Sequence, residues 1–326
     1  GDHRDLHSFP TRRSSDLFEI GKDILIFEQT QRLSLVVTTD SVCDLPESLR
    51  QEFGISVCPY YVRTEQGRFL DEVELSADEL LFHMSEGQTG CSQPPDVEDY
   101  ERFFAEKLTE SQNVIHITMA KYASQGYYNA LEAAKSFENV TVLDSGHLSS
   151  SMGLIVLYAA SMVEHHASKA DVVRNVKRLR NYISSAFIID NTQMMCQSGR
   201  ISKRIHVLCE SLLLHPVIEL RKSKMAVAGM RMGNFAHVAK SYVRSVLRDA
   251  GNIDKRVLFI TYAGMDEKSL LYIQNLVRQY CPFERVYLQK ASSAIASNCG
   301  PRSFGLLFMK KNEAVISFSQ MSKTDV

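Results

Sequence analysis

Short apolar runs, each closed by a polar turn and followed by a stretch of helical periodicity, recur along most of this chain, and that alternation limits the folds open to it. Residues 33–38 form a β-rich run that ends at Thr39, Asp40 and Ser41, and Pro46 suits the first turn of a helix expected over 47–53. A second strand is expected over 57–62 and a short helix over 77–84. Residues 86–95 contain Gly87, Gly90, Pro94 and Pro95 and read as an irregular loop, after which Asp96 caps a helix running to Leu108. A strand over 114–118, a helix over 124–137, a strand over 140–143 and a long helix over 149–166 continue the rhythm. Strand, helix, strand in this order predicts a mostly parallel sheet with helices on both faces.

The second half keeps the helices but adds hairpins. Helices are expected over 170–182, 201–214, 235–248 and 267–280, and strands over 186–189, 257–262, 286–288 and 304–309. Residues 216–220 and 225–228 form a hairpin around 221–224. Mixed connections predict a mixed sheet. The expected architecture is therefore α/β in two domains, the first over 33–166 and the second over 167–326, with the boundary within 165–169. Residues 1–32 read as a disordered or non-native leader, because 1–16 are rich in Arg, Ser, Asp and His and lack the apolar segment of a signal peptide. There is no internal repeat.

Composition removes several classes of function. The chain has 326 residues, 44% of them hydrophobic, enough for one large or two ordinary cores. Its net charge is −1 with scattered basic residues, which argues against a nucleic-acid partner. The longest apolar stretch, 152–163, is interrupted by Ser161 and falls short of the ~18 residues of a membrane span. Seven cysteines without a CxxC pair or a secretory signal predict reduced thiols and a cytoplasmic protein.

Few segments carry chemistry. Thr38-Thr39-Asp40-Ser41 lacks the glycines of a dinucleotide loop, and no Walker A, GxSxG or HExxH pattern occurs. His165-His166 stands where a helix C-terminus favours histidine, so it does not by itself argue for a metal. Cys91-Ser92-Gln93-Pro94 is a polar, proline-bounded segment in which Ser92 suits a nucleophile, an anion contact or a plain cap equally well. Arg200, in Gly199-Arg200-Ile201-Ser202-Lys203, sits at a helix start where the dipole disfavours a cation, so it either grips an anion or is solvated. Asn298-Cys299-Gly300-Pro301-Arg302 reads as a sharp turn before the last strand.

Together these segments resemble a known family. Thr39-Asp40-Ser41-Val42-Cys43-Asp44-Leu45-Pro46 is similar to the TDS…DLP signature of the DegV family, and Cys91-Ser92-Gln93-Pro94 to its TSQP loop. Residues 124–130 echo its SGTYQSA helix start, and Asp144-Ser145 its third strand and helix. Ser198-Gly199-Arg200-Ile201-Ser202 resembles GGRIS, and Gly300-Pro301 with Phe304-Gly305 the terminal GPGxxG. The resemblance spans about residues 33–310. It implies two α/β domains and a long-chain fatty acid in a buried tunnel between sheet and helices. It implies no catalytic residue, no metal and no cofactor beyond that ligand. The carboxylate would be presented to a separate bacterial fatty acid kinase subunit. Carried over by position, the head-group residues are Ser92, Tyr61 on the second strand and Asn298, where the family has histidine, with Arg302 as a substitute cation; Arg200 would face the partner. Two rival readings stand beside this one, an acyl hydrolase or transferase using Ser92 and an interaction protein that binds no lipid.

Overall fold

The computed structural model describes residues 32–197, 199, 201–221 and 223–311, so the expected leader (but for Arg32) and Arg200 lie outside the described residues. The first half opens with β1 (Val36–Asp40), α1 (Glu47–Glu52), β2 (Ser56–Cys58), β3 (Tyr61–Thr64), β4 (Gly67–Leu70), α2 (Ala77–Ser85) and β5 (Gly90–Gln93). It continues with α3 (Val97–Glu110), β6 (Val114–Thr118), α4 (Gly126–Ala134), β7 (Val140–Asp144) and α5 (Ser149–Glu164). Strands β2, β1, β6 and β7 pair in that order, all parallel. All five residues of β6 are buried, as a strand covered on both faces requires. Tyr100, Phe103, Phe104, Ala130 and Ala133 of α3 and α4 pack together over one face, and α5 packs on β1 from the other.

Two expectations need correction here. The run 57–62 is not one strand. Pro59 has no N–H to give a ladder, and the chain breaks there: β2 joins the parallel sheet, whereas β3 starts a separate antiparallel sheet of order β4-β3-β5. Residues 90–93, expected to be irregular, are the third strand of that sheet. Pairing with β3 supplies the backbone partners, and Gly90 lets α2 come close, since a β-carbon there would lie 2.7 Å from Leu80 Cδ1.

The second half runs α6 (Lys169–Leu179), β8 (Ile183–Ile188), α7 (Gln193–Gln197), α8 (Lys203–Ser211), β9 (Leu214–Arg221) and β10 (Lys224–Met232). It closes with α9 (Phe235–Val246), β11 (Ile253–Ala263), α10 (Glu267–Tyr280), β12 (Arg285–Lys290), α11 (Ser293–Cys299) and β13 (Ser303–Lys310). The helix expected over 201–214 is shorter at both ends: Ser202 caps it by accepting from Ile205 N, and Leu214 already belongs to β9. Helix α11 was not expected at all. The sheet order is β10-β9-β8-β13-β11-β12, antiparallel except for β11 with β12. Helices α9 and α10 cover one face through Val238, Tyr242, Ile273 and Leu276, and α5 covers the other.

Helix α5 is the shared core. Every residue from 149 to 162 is buried, because the helix lies between the two larger sheets. Gly153 permits the close approach, since a β-carbon there would sit 2.7 Å from the Cys43 carbonyl oxygen. Residues 165–168 separate α5 from α6, yet α6 packs back onto α5 and β7.

Candidate functional site

Helix α11 packs against α2, α7, β3 and β5, and so lies where the antiparallel sheet of the first half meets the second half. Ser92, at the centre of β5, pairs with Val62 and faces the same side as that buried valine. Asn298, near the end of α11, comes to meet it: Asn298 Nδ2 donates to Ser92 Oγ at 3.1 Å. The same amide nitrogen also reaches Ala294 O at 3.0 Å and Ser297 Oγ at 3.1 Å, which fixes its orientation. Both residues line a cavity of about 390 Å³ whose walls are largely apolar, including Phe187, Ile218 and Met225.

Among the other hydroxyls lining the same cavity, Tyr60 and Ser124 form a pair. Tyr60 is fully buried, its hydroxyl 2.8 Å from Ser124 Oγ, and Ser124 Oγ also accepts from Gly126 N at 3.1 Å. Gly126 has to be glycine for this pair to form, since a β-carbon there would lie 2.5 Å from the Tyr60 hydroxyl oxygen. Burial holds the Tyr60 phenol well above its ordinary pKa, so it acts as a neutral donor.

Two residues named from the sequence lie elsewhere. Tyr61 is not on the cavity wall. Adjacent strand residues face opposite sides, so with Tyr60 inside, Tyr61 turns outward, where the Arg68 guanidinium covers its ring at 3.4 Å. Arg302 is likewise outside the lining. Its Nε contacts Asp190 Oδ2 at 3.2 Å and its guanidinium lies over the Phe235 ring at 4.6 Å. Asp190 also meets His215 at 3.2 Å, and the carboxylate beside it raises the His215 pKa.

Carboxylates dominate the other end of α11. Asp44 accepts from Ser292 N at 2.9 Å, Glu72 from Ser293 N at 2.7 Å, and Asp71 from Ala294 N at 2.9 Å. Burial pushes the Asp44 carboxyl up to about 8, against its hydrogen bonds from Ser149 and Ser292, and raises Glu72 as well. Burial also takes the Cys299 thiol to about 12, which leaves it protonated and unreactive at neutral pH.

The chemistry this site offers is hydrogen bonding to a polar group from within a largely apolar cavity. The group meeting Ser92 Oγ is an amide N–H, which cannot take the proton a serine nucleophile must lose. Among the described residues no cluster of His, Cys, Asp and Glu could hold a metal, and no helix is long and apolar enough to cross a membrane.

Known proteins agree with this architecture. A DegV domain-containing protein of Clostridium acetobutylicum is 24% identical over 281 residues, covering 84% of this chain and 98% of its own. A solved DegV family protein of Thermus thermophilus, described by its fatty acid binding, superposes with a TM-score of 0.76 at 27% identity over 85% of this chain and all of the other. A stearic-acid-binding protein of Eubacterium ventriosum gives a TM-score of 0.73 at 20% identity, covering 84% of this chain and 98% of its own. The sequence profile of the DegV family, a family of uncharacterised proteins, matches residues 34–311, and with the fold and the order of motifs in agreement, the chain belongs to that family.

Proposed function

We propose that this protein holds a long-chain fatty acid in the cavity, its carboxylate at Ser92, and presents that carboxylate to a separate fatty acid kinase in the cytoplasm. The Ser92–Asn298 hydrogen bond at the cavity wall carries the reading. Because Ser92 Oγ accepts from the amide, its own proton is left to donate to a ligand. The Tyr60–Ser124 pair adds a second donor: two hydroxyl protons are present and their mutual bond uses one. Asn298 then works through Ser92, and Tyr60 takes the part that position in the sequence assigned to Tyr61. An acyl chain of about sixteen carbons gains on the order of 10 kcal/mol gross from burial, at ~0.8 kcal/mol per methylene, less the cost of ordering it. The carboxylate needs such donors, because burying it bare would cost far more than they do. The relatives that bind fatty acids support the choice of ligand.

Native mass spectrometry of the purified protein, with extraction of what it carries, tests the reading. A stoichiometric long-chain fatty acid is expected. Ser92→Ala should keep the fold and weaken retention by about 1–3 kcal/mol, the cost of one buried donor. A folded Ser92→Ala protein with unchanged affinity would remove Ser92 from the site. Arg200→Ala should lower acyl phosphate formation with a partner kinase and ATP but leave lipid retention intact; equal activity would take Arg200 out of the partner contact.

A further inference from the structure

We propose that Asp71 is a positioning residue for the head-group site, acting through α11 to hold Asn298 and Ser92 in register; this rests on the fatty-acid reading above. Asp71 follows β4 and is almost wholly buried. One of its oxygens accepts from Ser293 Oγ at 2.6 Å and Ala294 N at 2.9 Å, both in the first turn of α11. The other accepts from Ser41 Oγ at 2.5 Å, and Ser41 Oγ in turn accepts from Tyr60 N at 2.9 Å. The Asp71 backbone N–H donates to Tyr60 O at 2.9 Å. One carboxylate therefore joins three pieces of the cavity wall: the turn after β1, the residue that enters β3 and the start of α11.

Helix α11 is only two turns long, so its two ends move together. Asp71 and Glu72 hold N–H groups of its first turn, Asp44 holds that of the cap residue Ser292, and near its far end Asn298 orients the Ser92 hydroxyl. Of the three acids Asp71 alone reaches both the first turn of α11 and, through Ser41 Oγ and its own backbone N–H, Tyr60. A shift of this anchor moves the Asn298 amide relative to Ser92 and turns the serine proton away from the ligand. The effect falls on head-group recognition, and the apolar part of the cavity keeps its chain contacts.

The test compares octadecenoic acid with its methyl ester in competition, on full-length wild type, Asp71→Asn, Ser92→Ala and the double variant. Wild type should prefer the acid. Asp71→Asn should lose about tenfold or more of that preference, in line with loss of hydrogen bonds to a charged group. Adding Ser92→Ala to Asp71→Asn should cost little further, because the serine is already misaligned. A merely structural Asp71 would weaken acid and ester alike and add fully to Ser92→Ala, and that result overturns the proposal. If Asp71→Asn fails to fold, Ser293→Ala removes only the hydroxyl donor and should shift the preference the same way by less; a folded Ser293→Ala with wild-type preference also overturns it. Wild type that binds neither lipid would sink the fatty-acid reading itself, whereas an unchanged preference in Asp71→Asn would sink only the role of Asp71.

Discussion

Helices α5 and α8 are both rich in apolar residues, yet the protein uses them in opposite ways. In α5 the buried residues run without a break from Ser149 to Met162, serines included. In α8 and just beyond, Ile205, Val207, Leu208 and Leu212 are about half exposed, at 50%, 51%, 53% and 52%. The difference lies in what surrounds them. α5 has a sheet on each side, whereas α8 packs chiefly on α7 and β9. Their first turns differ as well. Ser149 donates to the buried Asp44 carboxyl, whereas Ser202 simply caps its own exposed helix. Apolar content fixes how much surface a helix can bury, and the neighbours fix how much it does bury.

The largest expected effect that would test this contrast concerns Asp44, whose carboxyl meets the first turn of α5. Its pKa in the folded protein, about 8, lies above the ordinary 3.8, so the folded state keeps a proton that the unfolded chain releases. Stability from this group is then fully present below pH ~4 and falls as pH rises through about 8. Asp44→Asn, which mimics the protonated form, should flatten that slope in denaturant titrations between those limits. Parallel curves for variant and wild type would mean that the carboxyl is ordinary. Next comes Leu154→Ala, fully buried in α5, expected to cost about 2–5 kcal/mol by equilibrium unfolding. A cost below about 1 kcal/mol there would contradict a close-packed α5. The smallest effect belongs to Leu208→Ser on α8, within about 0.5 kcal/mol. A large loss would show that α8 is covered in solution.

Most of the scaffold was legible because its signals are local. Strand β6 falls at 114–118 as read, and α10 at 267–280, since an apolar run or a helical stripe can be seen in isolation. The site was harder to read. Ser92 and Asn298 were named, but what joins them was not visible, because α11 is built of Ser, Ala, Ile, Asn and Cys without an amphipathic stripe and ends at Gly300-Pro301. β5 carries Gly90 and is followed by Pro94, and only its pairing with β3 makes it a strand. The exchange of Tyr60 for Tyr61 follows from reading across Pro59. A run taken as one strand is two strands in two sheets, and the break decides which tyrosine faces inward. Arg302 was named for its charge, and Asp190 already engages that charge outside the cavity.

The place of β13 in its sheet bears on how the protein is made. It is the last strand among the described residues, yet it lies between β8 and β11. Until residues 303–310 leave the ribosome, the second half exists as two part-sheets whose facing edges have unpaired backbone groups. A polypeptide stopped just short of Ser303 would possess Ser92 and Asn298 and still lack the strand that closes the sheet. Such nascent chains present two strand edges open to edge-to-edge aggregation.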